Sequence, residues 1–164
     1  MYDFKITAAD SATMYRDLAS ALEGLISGES DAVANMANAA ALIWETLPDI
    51  NWAGFYRNVD GELVLGPFQG RPACVRIKYG EGVCGVTAET RKVQRVEDVN
   101  AFPGHIACDS ASASEIVVPI MRDGKLIAVL DIDSPNKGRF TEEDEAGCVR
   151  LGEILARSFG TGLR

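Results

Sequence analysis

Two aspartate–glycine dipeptides constrain the fold of this chain more than any other feature. Asp60-Gly61 and Asp123-Gly124 each separate two short runs rich in aliphatic and aromatic residues. Such a dipeptide favours the positive φ angles of a tight hairpin turn, so each predicts two antiparallel strands. The expected strands cover residues 51–57 and 62–68 in the first hairpin, and residues 115–121 and 125–132 in the second. We therefore expect an antiparallel sheet at the centre of the fold.

Two helices are expected before the first hairpin. Apolar residues recur at helical spacing within residues 11–27, where Ser11 or Thr13 is the expected N-cap. An alanine-rich segment follows Asp31, which could cap a second helix that stops before Pro48. A final helix is expected from Thr141 to about residue 159, because Asp144 follows Thr141 at the spacing of a capping box.

The segment between the hairpins contains smaller elements and a long loop. The expected elements are a strand over residues 73–79, a short helix from near Val83, a strand over 93–96 and a loop over 100–114. Loops of that length in compact domains often carry function. Helices packed on the faces of an antiparallel sheet make an α+β domain, which is expected to span residues 1–164 as a single unit.

Charge and hydrophobicity exclude several classes of partner. The net charge of -8 disfavours nucleic acid and anionic membranes. No apolar run reaches the length of about 18 to 20 residues that a membrane span needs. The first residues lack the pattern of a secretory signal, so the expected compartment is the cytoplasm, where thiols stay reduced.

Four cysteines lie in different sequence contexts. Cys148 falls on an apolar face of the last expected helix and is interpreted as a buried core residue. Cys84 lies near an expected helix N-terminus, where the helix dipole would lower its pKa. Cys108 lies in the long loop, and Cys74 at the start of an expected strand. Their separations do not match a zinc site, and spacing alone leaves both thiol chemistry and ordinary packing open.

Three acidic residues are expected to converge. Asp131 and Asp133 end an apolar strand, and alternation along that strand puts both on one face. Counting from the hairpin turn places Glu115 near Asp131, within two positions. Carboxylates so close raise at least one pKa, and a neutral carboxylic acid could donate a proton. The alternative is a solvated strand end. Trp52 and Tyr56 on the first strand are either core residues or an aromatic wall for a methyl-sulfur group.

These segments together resemble the free methionine-(R)-sulfoxide reductases, a family built on the GAF domain. The resemblance covers nearly the whole chain, and three cysteines at these spacings with Asp-Ile-Asp-Ser-Pro make it specific. The matching segments are residues 51–56, 66–70, 73–77, 80–85, 105–109, 114–119 and 130–135. It implies a GAF-like fold and the reduction of free methionine-(R)-sulfoxide to methionine.

The resemblance also implies a role for each candidate residue. Cys108 matches the catalytic cysteine, Cys74 a resolving cysteine, and Cys84 a second cysteine able to form a disulfide with Cys108. Asp133 matches the carboxylate that polarises the sulfoxide oxygen. Glu115 and Asp131 match the residues that hold the substrate ammonium, while Trp52, with Tyr56 beside it, matches the aromatic that packs on the substrate methyl group.

Partners and rival functions follow from the same resemblance. The family uses no metal and no organic cofactor, is regenerated by thioredoxin and is commonly a homodimer. One rival hypothesis is a GAF module that binds a small molecule without catalysis, because GAF folds host many functions. Another is a thiol-based redox sensor in which the disulfide itself is the signal.

Overall fold

The computed structural model describes residue 6 and residues 10–106, 108 and 110–160. Within these ranges it has four α-helices, six β-strands and one short 3-10 helix. In chain order they are α1 (Ser11–Leu25), α2 (Ala32–Thr46), β1 (Trp52–Val59), β2 (Glu62–Gly70), β3 (Arg76–Lys78), α3 (Gly82–Thr90), β4 (Gln94–Val96), the 3-10 helix (Val99–Ala101), β5 (Ser114–Arg122), β6 (Lys125–Ser134) and α4 (Glu142–Ser158). None of the described helices is both long enough and apolar enough to cross a bilayer.

The six strands form one antiparallel sheet in the order β3-β2-β1-β6-β5-β4. Both predicted hairpins are confirmed. Asp60 and Gly61 have φ values of 51° and 80°, and Asp123 and Gly124 have 50° and 73°. Two successive positive φ values match the sharp turn that follows the natural twist of paired strands. β1 pairs with β6, so the two hairpins join at the centre of the sheet.

One face of the sheet carries the larger hydrophobic core. Side chains alternate along a strand, and residues paired in register point to the same face. Phe55 and its partner Leu130 therefore point together toward α1, α2 and α4, where both are fully buried. Burial of one such side chain contributes about 1.5–3 kcal/mol, so this layer supplies most of the hydrophobic stabilisation.

The opposite face carries a smaller apolar cluster. Trp52, Tyr56 and Val129 point this way and pack with Val83 of α3 and Ile77 of β3. Polar residues interrupt this second layer, and the candidate site lies among them.

Side-chain caps fix the helix starts. Asp31 accepts a hydrogen bond from the Ala34 amide at 2.8 Å, and Thr141 with Asp144 forms the expected capping box. The predicted cap of α1 is wrong: the cap is Asp10, which accepts from the Thr13 amide at 2.8 Å. Ser11 and Thr13 lie within the helix, because the carboxylate one position earlier satisfies the free amide of the first turn.

β3 is shorter than predicted, with three paired residues instead of seven. The strand begins at Arg76, which pairs with Val64 near the start of β2, whereas β2 runs on to Gly70. The chain must return over six residue steps, about 20 Å of strand length, before it can pair again. Residues 71–75 form this connection and are therefore not part of the β3 ladder.

Candidate active site

Strand register brings the three acidic residues together, as expected. Asp131 and Asp133 point to the same face of β6. Glu115 of β5 is the register partner of Asp133, within the two positions expected from the hairpin turn. Trp52 of β1 is the partner of Asp133 on its other side. All four side chains line one cavity on the face opposite the main core.

The wall of the cavity comes from α3 and from the loop before β5. Cys84 in the first turn of α3 and Cys108 in the loop both line it. The loop segment 105–109 of the family resemblance includes Ala107 and Asp109, which lie outside the described residues. The expected folding of the Cys108 loop over the carboxylates is confirmed, because Cys108 and Glu115 face the same cavity.

Burial and mutual repulsion keep protons on the carboxylates. Burial raises the pKa of Asp131 to about 6. Burial also raises the pKa of Glu115 well above its ordinary value, and the negative charges of Asp131 and Asp133 raise it further. Glu115 and Asp131 are 7% and 6% exposed. The interpretation of Asp131 and Asp133 as a solvated strand end is therefore wrong for Asp131, which is buried, whereas Asp133 is half-buried. The pair of Glu115 and Asp131 retains a proton near neutral pH.

One polar atom in this group lacks a partner. The Oδ1 atom of Asp131 is buried and accepts no hydrogen bond. A buried carboxylate oxygen without a donor is costly, so the site is suited to a ligand that brings one.

Cys84 differs from the expectation for its thiol. It lies 3.9 Å from Oε1 of Glu115, to which the thiol donates a hydrogen bond, and it is 4% exposed. Burial raises its pKa well above the ordinary value, and Asp131 and Glu115 raise it further. The predicted lowering by the helix dipole is therefore wrong, because the dipole contributes only about 0.3–1 kcal/mol and loses to desolvation and two acidic neighbours.

This group could also hold a cation. The Cys84 sulfur and one oxygen each of Glu115 and Asp131 lie within 4.8 Å of one another. The chemistry of these donors suits either an ammonium group or a divalent metal ion. Cysteine spacing alone does not reveal the group, because two of its three members are carboxylates from the sheet.

Cys74 and Cys108 form a disulfide, with their Cα atoms 5.4 Å apart and a sequence separation of 34. Cys108 lines the cavity, and Cys74 lies in the connection between β2 and β3. Tyr56 donates a hydrogen bond from its hydroxyl to the Cys74 carbonyl at 3.1 Å, which ties this connection to β1. Cys84 and Cys148 carry free thiols. Cys148 is fully buried under the main core, as predicted.

An aromatic stack forms one side of the cavity. The Trp52 ring stacks on Phe68 at 5.2 Å and on Tyr56 at 5.9 Å between centroids. The indole nitrogen donates to the Arg71 carbonyl at 3.1 Å, which fixes the ring orientation. Trp52 and Tyr56 are both 2% exposed, as core residues are, and both line the cavity. The two side chains are therefore core residues and an aromatic wall of the cavity at the same time.

Sequence reasoning missed several residues of the site. Phe68 supports Trp52, and alternation along β2 opposite Gly54 could have identified it. Gly54 itself is required by close packing: a Cβ atom there would lie 2.8 Å from Cη2 of Trp52. Glu81 and Ser112 also line the cavity, but no local pattern distinguishes them from other polar loop residues.

Comparison with known proteins identifies close relatives. A GAF domain model matches residues 31–159. The free methionine-R-sulfoxide reductase of Escherichia coli is 53% identical over 147 residues, which cover 90% of this chain and 89% of that protein. The Saccharomyces cerevisiae protein of the same name is 46% identical over 144 residues, covering 83% and 80%.

A solved structure gives the same result in three dimensions. The free methionine-R-sulfoxide reductase of Neisseria meningitidis, solved in complex with its substrate, superposes with a TM-score of 0.94. The two chains are 43% identical, and the match covers 97% of this chain and 96% of the other. The similarity therefore extends over the sheet, the helices and the cavity.

Proposed function

The chain belongs to the GAF domain family and, within it, to the free methionine-R-sulfoxide reductases, and from this premise we propose that it reduces free methionine-R-sulfoxide to methionine. The observation that carries the proposal is the position of Cys108. Its sulfur lines a cavity that also contains three carboxylates, and it can form a disulfide with Cys74.

The carboxylates are suited to bind the ammonium group of a free amino acid. Glu115 and Asp131 are buried in the cavity, and the Oδ1 atom of Asp131 lacks a donor. A substrate ammonium supplies three N–H donors and a positive charge, and so satisfies this oxygen. A methionine sulfoxide residue within a protein chain has no ammonium there and would leave the carboxylates unpaired. The site therefore selects the free amino acid.

The aromatic side of the cavity is suited to the other end of the substrate. Trp52 is held by its stack on Phe68 and by its hydrogen bond to Arg71. An indole face makes favourable contacts with methyl and sulfur groups. We assign Trp52 and Tyr56 to the methyl-sulfur end, and the opposite placement of the ammonium fixes the sulfoxide between Asp133 and Cys108.

The reaction begins with attack of the Cys108 sulfur on the sulfoxide sulfur. The S–O bond of the sulfoxide must be polarised before the oxygen can transfer, and Asp133 at the strand end polarises it and donates a proton to the oxygen. The raised pKa values of Glu115 and Asp131 support a proton reserve in the same cavity. The protonated oxygen then moves from the substrate sulfur to the Cys108 sulfur, the bond between the two sulfurs breaks, and methionine departs, which leaves Cys108 as a sulfenic acid.

The second step forms the disulfide. The Cys74 thiol attacks the sulfenic sulfur, the oxygen leaves as water, and the Cys74–Cys108 bond results. Cys84 is the less suitable resolving thiol, because it is buried and its pKa is raised. A protein dithiol of the thioredoxin type then returns two electrons and two protons to the cysteines. No step of this proposed reaction uses a metal or an organic cofactor. We place the protein in the cytoplasm, which supplies the reductant.

We further propose that the protein is a homodimer. Val33, Ala37, Ala41 and Trp44 form a stripe along α2, and Val33 and Trp44 are 53% and 38% exposed. Exposed apolar stripes of this kind favour association with a second copy.

A turnover assay with the separated R and S sulfoxides tests the proposal. With dithiothreitol as the reductant, we expect catalytic formation of methionine from the R form of the free amino acid only. Cys108→Ser should abolish turnover, because the nucleophile is removed. Binding without methionine formation would instead favour a non-catalytic GAF sensor module. A disulfide that cycles with oxidant but not with the sulfoxide would favour a redox sensor.

A further inference from the structure

Two exposed aliphatic side chains lie beside the Cys74–Cys108 disulfide. Val75, next to Cys74, is 65% exposed, and Ile106, two residues before Cys108, is 38% exposed. Only two other large apolar side chains of the described residues are exposed to this degree, and both belong to the α2 stripe. Among the described residues, the exposed large apolar side chains therefore lie at two places on the surface, and one of these places is beside the Cys74–Cys108 disulfide.

These two side chains are close enough to contact one partner. Cys74 and Cys108 have Cα atoms 5.4 Å apart, and chain geometry then limits the Cα atoms of Val75 and Ile106 to at most about 17 Å. A standard protein interface covers about 800 Å² on each partner, which spans more than this distance. One protein surface can therefore contact both residues while it reaches the disulfide.

The charge near Cys74 differs from that of the molecule as a whole. Arg71 and Arg76 lie on either side of Cys74 in sequence, and both are exposed, although the net charge of the chain is -8. Arg76 forms an ion pair with Glu62 at 2.9 Å, so Arg71 supplies most of the positive charge beside Cys74. The cavity side of the disulfide, by contrast, faces Glu115, Asp131 and Asp133 through Cys108. An attacking thiolate is an anion, so basic side chains favour its approach at Cys74 and carboxylates oppose it at Cys108.

We propose that Arg71, Val75, Arg76 and Ile106, which we call the disulfide rim, form the docking surface for a protein dithiol reductant of the thioredoxin type, which attacks the sulfur of Cys74. The proposal rests on the proposed function and names the place and direction of its regeneration step. The apolar residues of the rim select a protein reductant, because a small dithiol has no surface that would bury them.

The protein dithiol supplies both electrons and both protons that reduction of the Cys74–Cys108 disulfide requires. The reductant thiolate forms a bond to the Cys74 sulfur, and the Cys74–Cys108 bond breaks with its electron pair on Cys108. The second thiol of the reductant then attacks its own sulfur in the mixed disulfide and releases Cys74. The reductant leaves as a disulfide, and the two cysteines of this chain take up the two protons. Cys108 is released first, on the side where the next substrate binds.

Val75→Asp tests the docking surface. The Val75 side chain is exposed and does not line the cavity, so the variant should keep the wild-type rate with dithiothreitol. With thioredoxin, its KM for the reductant should rise about five-fold or more, the usual effect of losing an interface anchor. Ala12→Asp is the matched control: it adds the same charge at an exposed position of α1, on the opposite face of the sheet, and should change neither value.

Each result has a distinct meaning. An unchanged KM for thioredoxin in Val75→Asp, or an equal loss with dithiothreitol, would overturn the docking surface. A wild-type protein that is active with dithiothreitol but not reduced by thioredoxin would also overturn it, while the reductase function would stand. No turnover of the wild type with either reductant would instead overturn the proposed function itself.

A trapping experiment tests the direction of attack. A thioredoxin that retains only its attacking cysteine should form a stable mixed disulfide with the oxidised protein. Mass spectrometry of the digested complex should find the bond on the peptide that contains Cys74. A bond to Cys108 would contradict the proposed direction, even if Val75→Asp weakens docking.

Discussion

At the scale of single residues, the site combines groups whose local environments give them different chemical properties. Glu115 and Asp131 are buried beside one another and retain a proton between them, whereas Cys108 lies on a loop and forms a disulfide bond with Cys74. Burial explains the first property, and loop position explains the second. The same cavity therefore places a protonated acidic pair beside a redox-active cysteine.

The first residue-scale prediction concerns recycling. Cys74→Ser should still produce about one methionine per chain, because Cys108 and the cavity are intact. Repeated turnover with thioredoxin should fall by more than ten-fold, because the sulfenic acid has lost its partner. Comparison of single-turnover and steady-state rates measures both values. Unchanged steady-state turnover would assign the resolving role to Cys84.

The second residue-scale prediction concerns pH and stability. The pKa of Asp131 is raised to about 6 in the folded chain, above the value near 3.9 of an unfolded one. Its contribution to stability is therefore full below about pH 4 and is lost as pH rises through about 6. Asp131→Asn removes this ionisation and should increase the free energy of unfolding at pH 8, by an amount on the order of 2 kcal/mol.

Urea unfolding of the wild type and Asp131→Asn at pH 4 and pH 8 provides the measurement. The advantage of the variant should be present at pH 8 and much smaller at pH 4. The variant should also bind the substrate poorly, because the amide of asparagine lacks the negative charge that attracts the substrate ammonium. A variant less stable than the wild type at pH 8 would show that Asp131 is ionised at little cost.

At the scale of elements, the strands and helices were largely predictable, and the connections were not. Asp-Gly turns and alternating residues predict the hairpins from local chemistry, and the same alternation places Asp131 and Asp133 on one face. The short β3 follows from where β2 ends relative to its partner, which is a property of the assembled sheet. The raised pKa of Cys84 likewise depends on neighbours from β5 and β6 that are distant in sequence.

An element-scale prediction follows from the close packing of β1 and β2. Gly54→Ala places a methyl group against the edge of the Trp52 ring and against Phe68. The backbone of β2 at Phe68 and the Trp52 ring must both move, and the shape of the aromatic wall changes with them. We expect KM for methionine sulfoxide to rise several-fold with dithiothreitol as the reductant, while the reduced protein still forms the Cys74–Cys108 disulfide with a chemical oxidant.

A substitution in the same strand, on the other face, gives the control for this prediction. Ala53→Gly lies next to Gly54 but points into the main core. It should lower the free energy of unfolding by about 1 kcal/mol without changing KM. Equal KM values for Gly54→Ala and the wild type would remove the Trp52 ring from substrate recognition.

At the scale of the whole molecule, one sheet serves two layers. The layer under α1, α2 and α4 is apolar and stabilises the fold, and the layer under α3 and the Cys108 loop carries the chemistry. The acidic character of the site therefore need not interrupt the main core. The α2 stripe lies outside both layers, and it is the surface that we propose for contact with a second copy.

The association of two copies gives the prediction at this scale. Trp44→Arg places a charge on the exposed α2 stripe, at its largest apolar side chain, and should shift the protein from dimer to monomer. Analytical ultracentrifugation of the wild type and the variant measures this directly, and Ala12→Asp again serves as the control. A wild-type protein that sediments as a monomer would contradict the dimer.

The alternation along β6 has a consequence for how such a chain can change over time. Leu130 and Ile132 face the main core, while Asp131 and Asp133, their immediate neighbours, face the cavity. Inserting or deleting a single residue within this stretch would exchange the two sets unless a bulge absorbed it, as the irregularity at Ile127 does earlier in the strand. The exchange would place carboxylates in the apolar core and aliphatic groups in the cavity. The strand can therefore tolerate substitutions at many positions, whereas a change in its length that no bulge absorbs would disrupt both the core and the active site.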